Sequence, residues 1–157
     1  MGKKLIVYYS YTNNTKKIAE KIQKTTSADI FAIETVEPYV GDYNSVVEQG
    51  KEEIDQGFKP EIKPLSVNLA DYDTISIGTP VWWYTYAPAV ATFLSEYDLS
   101  GKTVNPFVTN GGWIGHTIQD VENVCKNAIV TNEIDIRFDT DKMVTSIADL
   151  DKWIARL

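Results

Sequence analysis

This sequence is poor in the residues that most often build metal and disulfide centres. It contains one cysteine, Cys125, and one histidine, His116. A single thiol forms no disulfide within the chain and supplies no CxxC redox or zinc site, so a reducing, cytoplasmic setting is expected. No GxGxxG occurs, so a Rossmann NAD or FAD site is not supported. Met1-Gly2-Lys3-Lys4 leads into only a short apolar run, so no signal peptide is expected. Residues 74–95 carry no charge, yet Pro80 and Pro88 interrupt them and Ser, Thr and Gly dilute them, which argues against a membrane span. Positive charge is also scarce: fifteen Lys and Arg face twenty-two Asp and Glu, for a net charge of −7. That excess disfavours nucleic acid and anionic membranes as partners. It favours a partner with a basic face, although acidity also serves plain solubility.

What is present is enough for a packed core. Apolar residues make up 43% of the 157 residues, with no internal repeat and no linker, so one domain over residues 1–157 is expected. Leu5, Ile6, Val7, Tyr8 and Tyr9 form an unbroken apolar run, as in a strand covered on both faces. Ile18, Ala19 and Ile22 then recur at helical spacing. A second strand is expected over 28–33, and a helix from Tyr43 through Val46, Val47 and Ile54 to Gly57. A long connection, 59–72, should be pinned by Leu65, Val67 and Leu69. A third strand spans 74–78, and a helix opens at Pro88 with Val90, Phe93, Leu94 and Tyr97 on one face. A fourth strand covers 102–108. Pro106 removes a ladder donor there, so a bulge or strand end is expected. Ile118, Val121 and Cys125 line a further helix, with Cys125 in the core. Residues 128–130, with Ile134 and Ile136, make a fifth strand, and Ile147, Leu150, Trp153, Ile154 and Leu157 a last helix. Alternating strands and helices predict a three-layer, doubly wound α/β fold with a five-stranded parallel sheet.

In such a sheet ligands sit beyond the carboxyl ends of the strands. Three of these ends carry chemistry. The first is Ser10-Tyr11-Thr12-Asn13-Asn14-Thr15, rich in neutral donors and leading into a helix whose first amides lack partners and attract an anion. Helix capping by Asn13 or Asn14 is the plainer alternative. The loop holds no Lys or Arg, so an anion would be held by neutral dipoles. The second is Pro80-Val81-Trp82-Trp83-Tyr84, continuing to Tyr86, with four aromatic residues within five positions. Adjacent rings cannot share a direction, so one should be buried and one offered to a flat ligand. The third is Thr109-Asn110-Gly111-Gly112-Trp113-Ile114-Gly115-His116. Its glycines allow close backbone approach, and Trp113 adds a ring; a flexible turn is the alternative. A flat ring joined to a phosphate satisfies all three ends. Gly101-Lys102-Thr103 only imitates a P-loop, since Glu96 occupies the first glycine position and a strand follows. His116 reads as an exposed loop histidine.

Together these motifs resemble the flavodoxin-like family and its small flavodoxin-related members. Ser10, Thr12, Asn14 and Thr15 match the family's phosphate loop. Asn13 stands where Gly is usual, a position that Asn tolerates. Pro80-Val81-Trp82-Trp83-Tyr84 resembles the aromatic loop after strand three, with Tyr84 where Gly is common. Thr109-Asn110-Gly111-Gly112 resembles the third flavin loop. The similarity covers nearly the whole chain. It implies FMN, with phosphate at residues 10–15 and isoalloxazine between the second and third loops, and it implies strand order 2-1-3-4-5.

An FMN-binding electron-transfer protein is therefore expected, and an acidic setting should lower the flavin potential. The partner would be a redox protein with a basic face or a small-molecule acceptor. One rival is an FMN-dependent oxidoreductase taking hydride from NAD(P)H. Another is a non-redox signalling or binding module. Against that last reading, the strand ends Tyr8-Tyr9-Ser10 and Gly78-Thr79-Pro80 carry no acidic phospho-acceptor cluster.

Overall fold

A computed structural model describes residues 3–157. The chain opens with β1 (Lys3–Tyr8), α1 (Asn14–Thr26) and β2 (Asp29–Ala32), followed by α2 (Tyr43–Gln56). Next come β3 (Tyr72–Trp82), β4 (Thr85–Tyr86), α3 (Pro88–Glu96) and β5 (Thr103–Asn110). The last part holds α4 (Thr117–Val124), β6 (Ile129–Val130), β7 (Ile134–Asp139), β8 (Lys142–Met143) and α5 (Ile147–Ile154).

β1 lies inside the sheet, between β2 and β3, and is apolar in both directions from Leu5 onward. Leu5 and Val7 enter one core with Ile75, Ile77, Val90 and Phe93. Ile6 and Tyr8 enter the other with Ile18, Ile22, Phe107 and Trp153. This period of two produces three layers, with helices on both faces of the sheet. Each fully buried aliphatic side chain contributes about 1.5–3 kcal/mol, so the two cores dominate stability. Gly78 permits close approach of the Phe107 ring: a Cβ there would stand 2.2 Å from it.

The sheet differs from five parallel strands. Among the described residues it has eight strands in the order β2-β1-β3-β5-β7-β8, in place of the expected five in order 2-1-3-4-5, with β4 paired to β3 and β6 to β5. β1 pairs in parallel with β2 and β3, and β5 with β3, β6 and β7. β4 and β8 are antiparallel additions. They arise where β3 and β7 fold back into short hairpins whose backbone groups pair locally.

The expected fifth strand is divided. β6 pairs with Thr103 and Val104, and β7 with residues from Phe107 onward. The expectation of a bulge or strand end at Pro106 also fails, since β5 runs through it opposite Ile77. The carbonyls of Lys102 and Val104 accept from Ile129 and Thr131 on the β6 side. By strand alternation Pro106 faces that same side, at the gap between β6 and β7, so its missing N–H falls where no partner strand lies.

Two helix faces also depart from expectation. α2 buries Val46, Gly50 and Glu53, while Tyr43 stands exposed. Ile147 is exposed at the start of α5, and Leu150, Trp153 and Ile154 carry the packing. The 59–72 connection is held as expected by Leu65, Val67 and Leu69 against the first core. It gains a bridge between Thr35 and Ile62. Among the described residues no helix is long and apolar enough to cross a membrane.

Candidate functional site

A cavity of about 660 Å³ opens at the carboxyl ends of the parallel strands, within the range of small-molecule and cofactor sites. Tyr11, Thr12 and Asn14 line one side, Pro80, Val81, Trp82 and Trp83 another, and Thr109, Asn110 and Gly111 a third. The three separate chain segments singled out above thus meet at one place. Ser10, Asn13, Thr15, Tyr84, Gly112, Trp113 and Gly115, also expected at the site, do not line the cavity.

Local chemistry shapes the first wall. Asn13 precedes α1 in the left-handed region, φ 75°, and its side chain makes no capping bond. It therefore supplies a turn that Asn tolerates, rather than a cap. Ser10 Oγ accepts the Lys16 N–H at 3.2 Å. Thr15 is 1% exposed and its hydroxyl bonds Thr109 Oγ1 at 2.7 Å, so it ties α1 to β5. Thr12 remains as the exposed aliphatic hydroxyl of the loop, beside the exposed Tyr11. Asn14 donates through Nδ2 to the Thr140 carbonyl at 2.8 Å, while its Oδ1 is buried without a partner.

The second wall is a hairpin rather than an open loop. Pro80, Val81 and Trp82 end β3, and Val81 and Trp82 pair with Tyr86 and Thr85 of β4. Trp83 and Tyr84 form the turn, with φ 49° and 73°. Positive φ at both central positions suits the twist of a two-residue hairpin but costs bulky side chains about 1–2 kcal/mol each. Outside contacts hold the turn. Trp83 Nε1 donates to the Val47 carbonyl at 2.9 Å, and the His116 N–H donates to the Tyr84 carbonyl at 2.8 Å. Gly115 has no room for a side chain, since a Cβ would lie 2.4 Å from the Tyr84 oxygen. The rings divide much as adjacency demands. Trp82 is set edge-on among Tyr9, Tyr11 and Tyr39, while Trp83 is 36% exposed; both still line the cavity.

The third wall is pinned rather than flexible. Asn110 Oδ1 accepts the Gly112 N–H at 2.9 Å, its Nδ2 bonds Asp135, and Arg137 donates to the Gly112 carbonyl at 3.0 Å. Thr109 and Asn110 are the last residues of β5. Trp113 is 68% exposed and tilts against Tyr84 with ring centres 5.0 Å apart.

Sequence reasoning missed two further walls. Tyr43, Val46 and Val47 of α2 close one flank, and Phe138, Thr140 and Asp141 of the β7–β8 hairpin close another. The Asp139-Thr140-Asp141 turn between short strands was the available signal for the latter. His116 is exposed, as expected, but it is not free. Its Nδ1 bonds Asp120 Oδ2, which also accepts from the Thr85 hydroxyl. The spacing of four between His116 and Asp120 was legible in the sequence. Among the described residues no cluster of three or more His, Cys, Asp and Glu could hold a metal ion.

Burial sets the proton affinities near the cavity. Desolvation, then the charges of Tyr11 and Glu53, pushes the Tyr9 phenol far above its ordinary value. Desolvation and a bond to Glu53 do the same for Tyr39. Burial raises the Cys125 thiol, which keeps it in its neutral form within the core.

A three-layer α/β sheet with a cavity at its carboxyl edge defines a protein of flavodoxin-like architecture. The chain belongs to the flavodoxin family, whose profile matches residues 3–157. It is similar to an inferred flavoprotein from Bacteroides eggerthii DSM 20697 at 27% identity and TM-score 0.83, covering 99% of this chain and 98% of that one. It is also similar to a flavoprotein from Lactobacillus acidophilus NCFM solved in complex with FMN, at 27% identity and TM-score 0.77, covering 98% and 99%. A Fusobacterium nucleatum flavodoxin bound to flavin mononucleotide shares the fold at 15% identity and TM-score 0.56, covering 99% and 96%. No curated protein sequence matches the chain.

Proposed function

We propose that this protein holds FMN non-covalently in the cavity and serves in electron transfer. One observation carries the reading: Tyr11, Thr12 and Asn14 at the helix start, Trp82 and Trp83, and Gly111 of a pinned loop converge on one cavity of about 660 Å³. The FMN complex of the similar Lactobacillus flavoprotein supports it. The residues present fit such a ligand. The Lys16 and Lys17 amides are already bonded, so the phosphate would take the amides ahead of them and the Thr12 hydroxyl. The orphaned Asn14 Oδ1 offers an acceptor to a ligand hydroxyl. Trp82 and Trp83 give apolar walls for the ring, and Gly111, with nothing within 4 Å of a built Cβ, leaves backbone room beside it. FMN, when bound, supplies the redox chemistry. The chain orients it and restricts its access to water.

Asp141 in the wall and the net charge of −7 oppose further negative charge in the cavity. The bound flavin should therefore have a potential below that of free FMN. The same acidity favours a redox partner with a basic face. The direct test is retention: protein incubated with FMN and desalted should stay yellow, with quenched flavin fluorescence. Thr12→Ala should weaken FMN more than riboflavin, and equal losses would remove the phosphate assignment. Steady oxidation of NADH or NADPH by the loaded protein would replace the carrier reading with an oxidoreductase.

A further inference from the structure

The structure buries a carboxylate for which flavin binding has no use. Glu53 on α2 is 8% exposed. Its Oε1 accepts the Tyr39 hydroxyl at 2.6 Å, and its Oε2 accepts Gln49 Nε2 at 3.0 Å. Both oxygens act as acceptors, so one of them is already placed to receive the Tyr39 hydroxyl proton. Tyr39 in turn lies against Trp82, with ring centres 5.1 Å apart. Trp82 lines the cavity. Gly50 lets α2 approach the indole directly, since a Cβ there would stand 2.9 Å from Trp82 Cε3.

A continuous path therefore runs from the cavity wall through an indole to a phenol already bonded to a base. Two other tyrosines touch Trp82, Tyr9 at 6.0 Å and Tyr11 at 5.9 Å between ring centres. Of the three, Tyr39 is the one whose hydroxyl is bonded to a carboxylate. That difference decides where an oxidising equivalent settles. A phenol that loses an electron becomes a strong acid, and its oxidation is uphill unless the proton leaves at the same time. A base at hydrogen-bond distance removes that obstacle. Burial and the Glu53 bond keep Tyr39 protonated beforehand, so its proton is present to be moved.

We propose that Trp82, Tyr39 and Glu53 form a proton-coupled relay that carries a one-electron oxidising equivalent away from a light-excited flavin in the cavity. The proposal rests on the FMN reading above. Trp82 gives one electron to the excited flavin and is refilled by one electron from Tyr39. The Tyr39 hydroxyl proton moves to Glu53 Oε1. The products are a neutral phenoxyl at Tyr39, a neutral carboxyl at Glu53 and one added electron on the flavin, so charge and protons balance. The relay moves the hole off the cavity tryptophan to Tyr39, which is half-buried in an otherwise mostly exposed 33–42 loop.

Flash photolysis of the FMN-loaded protein tests this, with loading first verified by retained flavin absorbance. The tryptophan radical signal should give way to a phenoxyl signal, more slowly in deuterated water. Tyr39→Phe should abolish the phenoxyl. Glu53→Gln should slow its appearance by about tenfold or more, the loss of one charge-assisted hydrogen bond expressed as a rate. Circular dichroism and urea unfolding establish that both variants are folded. A phenoxyl signal unchanged in Tyr39→Phe, or no deuterium effect, would overturn the relay. If the protein retains no FMN, the functional reading fails separately. The Trp82-to-Tyr39 step is then read in the cofactor-free protein by oxidising tryptophan with azide radicals in pulse radiolysis. Because Trp83 and Trp113 also lie against Tyr84, both changes are made in a Tyr84→Phe background. A drop in phenoxyl growth in both Tyr39→Phe and Trp82→Phe supports the relay, and growth unchanged by either refutes it.

Discussion

The helix-start loop and the aromatic hairpin face the same cavity but are built by different means. The loop is largely local. Its turn residue is Asn13, one of the few types at ease with positive φ, and α1 follows by its own apolar spacing. The hairpin runs against local preference. Trp83 and Tyr84 both adopt positive φ, and distant residues hold them there: Val47 on α2, and Gly115 and His116 ahead of α4. A wall built locally tolerates change elsewhere in the chain. A wall held by tertiary contacts fails when any of its clamps is altered.

The sharpest way to break this contrast is at a clamp. Gly115→Ala places a methyl 2.4 Å from the Tyr84 oxygen at a position of φ 59°. It should cost about 2–3 kcal/mol in urea unfolding and shift tryptophan emission. A neutral result would show that the hairpin does not depend on that contact. Next in size, Thr15→Ala strands the buried Thr109 hydroxyl and should cost about 1–2 kcal/mol. Thr12→Ala on the same loop should leave stability within about 0.5 kcal/mol, since its side chain is exposed. Equal costs for the two would mean that the loop is not divided between a structural and a ligand-facing hydroxyl.

Tyr84→Gly should act in the opposite direction. Removing the side chain relieves the positive φ and should stabilise the protein by about 1 kcal/mol, less whatever the Trp113 contact contributes. Destabilisation would show that the ring contact outweighs the strain.

The smallest effect is alkaline. Tyr72, at the far end of the sheet, has its phenol pushed up to about 12, chiefly by its bond to Asp29 and then by burial. Above the ordinary phenol range of about 10 the unfolded chain releases this proton while the folded chain keeps it. The contribution is thus fully present below about pH 10 and is lost as pH rises toward 12. Tyr72→Phe should flatten that part of the thermal-unfolding profile. Tyr8, Tyr9, Tyr39 and Tyr86 are raised too, so a loss of stability that persists in Tyr72→Phe at higher pH comes from phenols elsewhere in the molecule.

Much of the scaffold was legible because burial leaves a periodic trace. The apolar run of β1, the Pro88 helix start and the spacing of Ile18, Ala19 and Ile22 each recur in the structure. Pro106 misled because a missing donor matters only where a neighbouring strand would use it, and that neighbour is absent at the gap between β6 and β7. The β4 and β8 pairings were hidden by their length, since two residues carry no period.

The composition and order of residues by themselves determined the layered α/β plan, the net negative charge and the three strand ends that meet at the cavity, because hydrophobic period, charge and helix starts are properties of neighbours in the chain. Tertiary structure alone decided that the Thr15 hydroxyl is spent on Thr109, that α2 and the β7–β8 hairpin complete the cavity, and that two aromatic residues turn a hairpin in a strained conformation. Those outcomes depend on which distant groups come within hydrogen-bond or van der Waals reach, and no local pattern encodes that distance.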